Sequence, residues 1–153
     1  MPVRVLEAAA VHEAVVLRRA GVRATAFYEA VGARKDERFC DGTASCMAFS
    51  DAIHVMLLTH DKFRQFTPKP IADAKRTSEA LFCISADGRE GVDDMAARAG
   101  AAGGVVDPGP KQDYGFMYGR SFEDPDGHVW EVMWMDVEAA MAAMAPQKEK
   151  VEA

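Results

Sequence analysis

Cysteine is scarce in this chain. There are three, Cys40, Cys46 and Cys83, and no two have C-x-x-C spacing. An odd count excludes a fully paired disulfide framework, and the spacing excludes a zinc knuckle. Reduced thiols and a cytoplasmic setting are the expectation. Long apolar runs are also missing: no stretch approaches the roughly 18–20 residues of a membrane-spanning helix. The first apolar stretch is interrupted by Glu7, His12 and Glu13, so it does not read as a secretion signal. Positive charge is outweighed, 18 Lys and Arg against 24 Asp and Glu, for a net charge of −6. With a pI near 5.2 and no basic stripe, neither nucleic acid nor an anionic membrane is the expected partner.

The apolar share, 49% of 153 residues, is that of a globular protein. One domain is the default at this length, and such a chain buries roughly 70% of its unfolded surface. The most informative stretch is residues 121–136, SFEDPDGHVWEVMWMD. Asp124-Pro125-Asp126-Gly127 is a tight turn, with Pro125 presetting φ and Gly127 accepting φ > 0. Val129–Met135 is then an apolar strand with one charge inside it, Glu131. Alternation puts Val129, Glu131, Met133 and Met135 on one face and Trp130, Val132 and Trp134 on the other. Both faces are apolar, so the strand is expected to be covered on both sides. A carboxylate there is costly to bury alone. Three readings stay open: a metal ligand or catalytic group in a cavity, a buried ion-pair partner, or a half-exposed edge residue.

Taken in order, residues 1–22 are rich in Ala and Val with helix-like spacing, and a short strand at residues 3–6 is the alternative. Residues 25–31 form an amphipathic helix closed by Gly32. Residues 33–38 suggest an edge strand, Asp41-Gly42 a hairpin turn, and residues 44–49 and Ile53–Thr59 the next two strands. A short helical turn and a linker fill residues 60–78. A strand over residues 79–86, a helix over 90–102 and a short strand at Val105-Val106 follow. After the Pro108-Gly109-Pro110 loop come a strand over residues 116–123 and the signature turn. Val137–Met144 is a helix, and residues 146–153 are a charged tail.

The order helix, strand, strand, strand occurs twice. IHVML, beginning at Ile53, aligns with WEVMW, beginning at Trp130. His54 then takes the place that Glu131 holds in the second half. A histidine on an apolar strand is also an ordinary core residue, and both readings of His54 stay open. His60 and His128 flank turns and read as surface or capping residues.

DPDGHVWEVMWMD and FYEAVGARK resemble the vicinal oxygen chelate superfamily, which includes glyoxalase I, bleomycin-resistance proteins and extradiol dioxygenases. The resemblance runs over residues 25–136. It implies an α+β fold of two βαββ modules forming a β-cup, with a degenerate first strand. The domain would span residues 1–136: an atypical segment at 1–22, a first module at 23–59, the linker at 60–78 and a second module at 79–136. A C-terminal helix and tail at 137–153 would follow.

The resemblance also implies a site. Glu131 would be metal ligand or base, with His54 and Glu79 as further ligands of a divalent Fe, Ni, Zn or Mn. His12, in the helix-like stretch, is not assigned. Tyr114, Tyr118 and Arg120 would line the cup mouth and hold substrate; Tyr118, Arg120 and Phe122 share a strand face. Arg120 is also within reach of Glu123, Asp124 or Asp126 outside the cup. Two functions follow from the resemblance. One is a metal-dependent lyase, of the lactoylglutathione lyase kind, or an oxygenase on a small oxygen-chelating substrate. The other is a non-catalytic, bleomycin-resistance-like dimer that sequesters a small molecule. Both imply a homodimer.

Overall fold

Two units of one order, a strand, a helix and a set of following strands, account for most of the described residues, the second unit carrying one short strand more than the first. The structure is a computed structural model that describes residues 11–17 as backbone and residues 21–145 in full. The first unit runs β1 (Val11–Leu17), α1 (Val22–Ala30), β2 (Arg34–Lys35), β3 (Ala44–Ala48) and β4 (Ile53–Thr59). A 3-10 turn at Glu37–Phe39 separates β2 from β3. The one-turn helix α2 (His60–Phe63) opens the linker. The second unit runs β5 (Leu81–Ser85), α3 (Arg89–Ala101), β6 (Val105–Val106), β7 (Gln112–Asp113), β8 (Met117–Glu123) and β9 (Val129–Met135), and α4 (Val137–Met144) follows.

The two sheets are open and have the same topology. The first has the order β1-β4-β3-β2 and the second β5-β9-β8-β6, with β7 also on β8. In each, the opening strand runs parallel to the last, and the remaining pairs are antiparallel. The two βαββ modules and the repeat are therefore present.

The opening strand corrects the helix-like reading of the N-terminal segment. Val11–Leu17 is a seven-residue strand parallel to β4. Helical spacing among Ala, Leu and Val is a weak local preference, and pairing along the whole of β4 overrides it. The alternative strand at residues 3–6 lies outside the described residues.

One face of each sheet meets α1. Phe27 and Tyr28 pack against Met47, Val55 and Leu57 of the first sheet and Phe122 and Trp130 of the second. The core-facing sets are thus Ser45, Met47, Val55 and Leu57 in one sheet and Arg120, Phe122, Trp130 and Val132 in the other. His54 and Glu131 fall on the opposite faces. The expectation that β9 is covered on both sides fails. Trp130 and Val132 are buried, whereas Val129, Glu131 and Met133 are half-buried and Met135 is exposed.

The DPDG turn is a structural joint. The Trp130 indole N–H donates to the Tyr28 hydroxyl at 3.1 Å, and that hydroxyl donates to Asp124 Oδ2 at 2.7 Å. Asp124 Oδ1 accepts from the amides of Asp126 and His128, both at 2.9 Å. The turn thereby ties α1 of the first unit to β9 of the second. Burial, then the Asp124 charge, pushes the Tyr28 hydroxyl well above its usual pKa. Gly127 has φ of +100°, and a Cβ there would sit 2.9 Å from the backbone of Ala74 and Lys75. The linker therefore seats directly on the turn.

Candidate ligand site on the open face of the second sheet

Glu131 sits in the middle of β9, between Cys83 on β5 and Ser121 on β8. Cross-strand partners share a face, so all three project to the side away from the helices. A cavity of about 140 Å³ lies here, lined by Glu131 and Ser121 with Pro110, Gln112, Met117 and Met133 among its walls. Glu131 makes no hydrogen bond or ion pair among the described residues. Of the readings left open by the sequence, this is a half-buried carboxylate facing a cavity. Burial, then the Glu131 charge, pushes the Cys83 thiol up.

His54 occupies the equivalent place in the first sheet, on the face away from α1, opposite Ala48. His12 stands beside it in the parallel register of β1 and β4. The repeat therefore sets His12 and His54 against Cys83 and Glu131. Sequence reading passed over His12 because its segment had helical spacing. The available signal was the β-branched Val11, Val15 and Val16 around it. His54 does not line the cavity that Glu131 lines.

Glu79 departs from its expected place. It precedes β5, which begins at Leu81, so it is not a strand residue. Its carboxylate lies 3.8 Å from Nδ1 of His128. His128 is itself buried, where a surface or capping role was expected. Among the described residues, no group of three or more His, Cys, Asp or Glu side chains could hold a metal ion. The set His54, Glu79 and Glu131 is thus not gathered into one site.

The three expected substrate contacts also separate. Tyr114 is exposed, its ring stacked on Phe116 at 6.3 Å. The Tyr118 hydroxyl donates to Asp93 of α3 at 2.8 Å. Arg120 borders the cavity, but its guanidinium turns to the helix side. It donates to Asp93 at 2.9 Å and to Asp107 at 2.6 and 3.1 Å. Glu123, Asp124 and Asp126 are not its partners. Hydrogen bonds from Arg120 hold the Asp107 carboxyl below the usual range, and those from Tyr118 and then Arg120 do the same for Asp93. Tyr118 and Arg120 therefore fasten α3 to β8, a role that alternation alone does not distinguish from lining a cup.

A larger cavity of about 440 Å³ lies between the linker and the DPDG turn, walled by His60, Arg64, Asp73, Asp126 and His128 among others. Burial, then Asp124, pushes the Asp126 carboxyl up. Arg64 is tied to Asp61 at 2.7 Å. Larger volume does not make this the better candidate. The smaller cavity holds an unpartnered carboxylate at a position matched by the repeat.

No helix among the described residues is long and apolar enough to cross a membrane. No curated protein matches the chain. Among solved structures, a hypothetical protein from S. aureus is similar at 20% identity and TM-score 0.67, over 80% of this chain and 91% of that one. A glyoxalase/bleomycin resistance protein/dioxygenase family enzyme from Burkholderia phytofirmans PsJN matches at 20% identity and TM-score 0.65, over 82% and 98%. The fosfomycin resistance protein FosX from Mesorhizobium loti matches at 20% identity and TM-score 0.60, over 85% and 95%. At such identity these likenesses speak to fold. Residues 11–132 match the Glyoxalase/Bleomycin resistance protein/Dioxygenase superfamily, and together with the repeated βαββ topology this makes the chain a member of that superfamily.

Proposed function

We propose that this chain binds a compact, oxygen-bearing small molecule against Glu131. The carboxylate accepts a hydrogen bond from the ligand or takes a proton from it. The observation that carries the reading is an unpartnered, half-buried carboxylate in a cavity whose walls include Met117 and Met133. Its oxygens are not closed off from solvent, so a ligand donor entering the cavity can reach them. Methionines give an adaptable apolar wall. A cavity of about 140 Å³ is small beside the several hundred Å³ of a drug-sized site, so it suits a compact ligand or one end of a larger one. Leu81 and Met135 are exposed on the same face. A second copy of the chain closing over it would enlarge the site, which is the basis for proposing a homodimer.

A second reading is a divalent-metal-dependent lyase or dioxygenase. It is favoured by the register of His12 beside His54, matched by the repeat to Cys83 beside Glu131. Metal analysis of protein prepared without chelator separates the two, using wild type, His54→Ala and Glu131→Gln. Stoichiometric metal in the wild type and loss in both variants supports the metal-dependent reading. A ligand that binds chelator-treated wild type but not Glu131→Gln supports the first. Suitable probes are a catechol, an α-keto hemithioacetal and, since one structural neighbour is a fosfomycin resistance protein, fosfomycin.

A further inference from the structure

We propose that Cys40 and Cys46 are a redox pair that closes a reversible disulfide when the protein meets a hydroperoxide. Cys40 follows the Glu37–Phe39 turn and Cys46 lies on β3, yet the two are in contact. The Cys46 amide donates to Cys40 Sγ at 3.3 Å, and that thiol donates to the Asp36 carbonyl at 3.0 Å. Two backbone bonds brace the intervening hairpin, Asp41 N to Ala44 O at 2.8 Å and Asp36 N to Cys46 O at 2.9 Å. One sulfur is thus already fixed a single hydrogen bond from the other cysteine's main chain. Closing the bond requires the Cys46 side chain to turn its sulfur toward Cys40 Sγ.

The two thiols differ in the way such a pair needs. Cys40 is half-buried and Cys46 is buried. Lys35 acts electrostatically on Cys40 and Arg38 on Cys46. Burial, then Asp36, pushes the Cys46 thiol up, so Cys40 is the group that reacts first. Its thiolate attacks the peroxide, the O–O bond breaks and an alcohol or water leaves, giving a sulfenic acid. Cys46 sulfur then attacks Cys40 sulfur, the S–O bond breaks and water leaves with the Cys46 proton. Two thiols and one hydroperoxide thus become one disulfide, one alcohol (or water) and one water. Cys46 pairs with Met56, and Ala48 two residues on pairs with His54. The bond would therefore tie the Glu37–Phe39 turn to the strand face that carries His54.

The test treats the reduced full chain with hydrogen peroxide, then an alkylating reagent, followed by intact-mass and non-reducing peptide mapping. The expected product has lost two hydrogen atoms and two alkylatable thiols. It carries a Cys40–Cys46 link that a thiol reductant reverses, and the exposed Cys83 stays alkylatable. In Cys46→Ser, Cys40 accumulates as a sulfenic acid trapped by a cyclic dione. Retention of all three thiols, a link other than Cys40–Cys46, or no trapped Cys40 in Cys46→Ser overturns the proposal.

Discussion

Cys83 and Glu131 are register partners on the parallel strands β5 and β9, and His12 and His54 hold the matching places on β1 and β4. One structural unit thus carries two imidazole residues where its copy carries a thiol and a carboxylate. In the second unit the open face carries two carboxylates, Glu123 and Glu131, and of these Glu131 stands beside the exposed Cys83, whose thiol pKa is pushed up by partial desolvation and then by the Glu131 charge. That asymmetry, with the cavity at Glu131, is why we propose Glu131 rather than His54 as the group that meets a ligand.

Tyr28→Phe tests the joint between the units. It removes the donor to buried Asp124 and the acceptor for the Trp130 indole. Loss of about 1–3 kcal/mol is expected by urea denaturation. Ligand binding at Glu131 should be unchanged, because Tyr28 lies across the sheet.

Gly127→Ala tests how the linker is seated. The positive φ and the nearby Ala74 backbone both oppose a Cβ. Destabilisation of at least about 1 kcal/mol is expected, with faster proteolysis in the linker. Unchanged stability would mean that the linker does not rest on the turn.

Arg120→Met tests the fastening of α3, and the effect depends on pH. Arg120 lowers the folded-state pKa of Asp107 and, after Tyr118, of Asp93. A carboxyl with a lowered folded pKa contributes stability that is complete above its unfolded value, about 4. That contribution is lost as pH falls through the lower folded value. The wild type should therefore exceed Arg120→Met in stability at pH 7, by a margin that shrinks below about pH 4. Denaturation midpoints across that range check it. A constant margin would show that the arginine acts through packing alone.

Much of this fold was legible in the sequence because local signals and tertiary packing agree. Val129–Met135 and Val137–Met144 have the bounds that the apolar run and the helical spacing predict. The opening strand was not legible, since its only described strand partner is β4, more than thirty residues on. Alternation correctly grouped Tyr118 and Arg120 with Phe122 and set Glu131 with Met133. Which group faces the helices depends on where Phe27 and Tyr28 dock, and spacing along one strand does not contain that. Glu79 was misread because a strand's first residue is a boundary, the least determined feature of any element. His128 looked like a turn residue because the groups that bury it come from elsewhere in the chain.

The most direct measurement is calorimetric titration of a ligand identified for the wild type into Glu131→Gln and, as a control from the other face, Tyr118→Phe. Binding at least about tenfold weaker is expected in Glu131→Gln, and unchanged binding in Tyr118→Phe. Equal affinity in wild type and Glu131→Gln, with both proteins folded, would contradict that expectation.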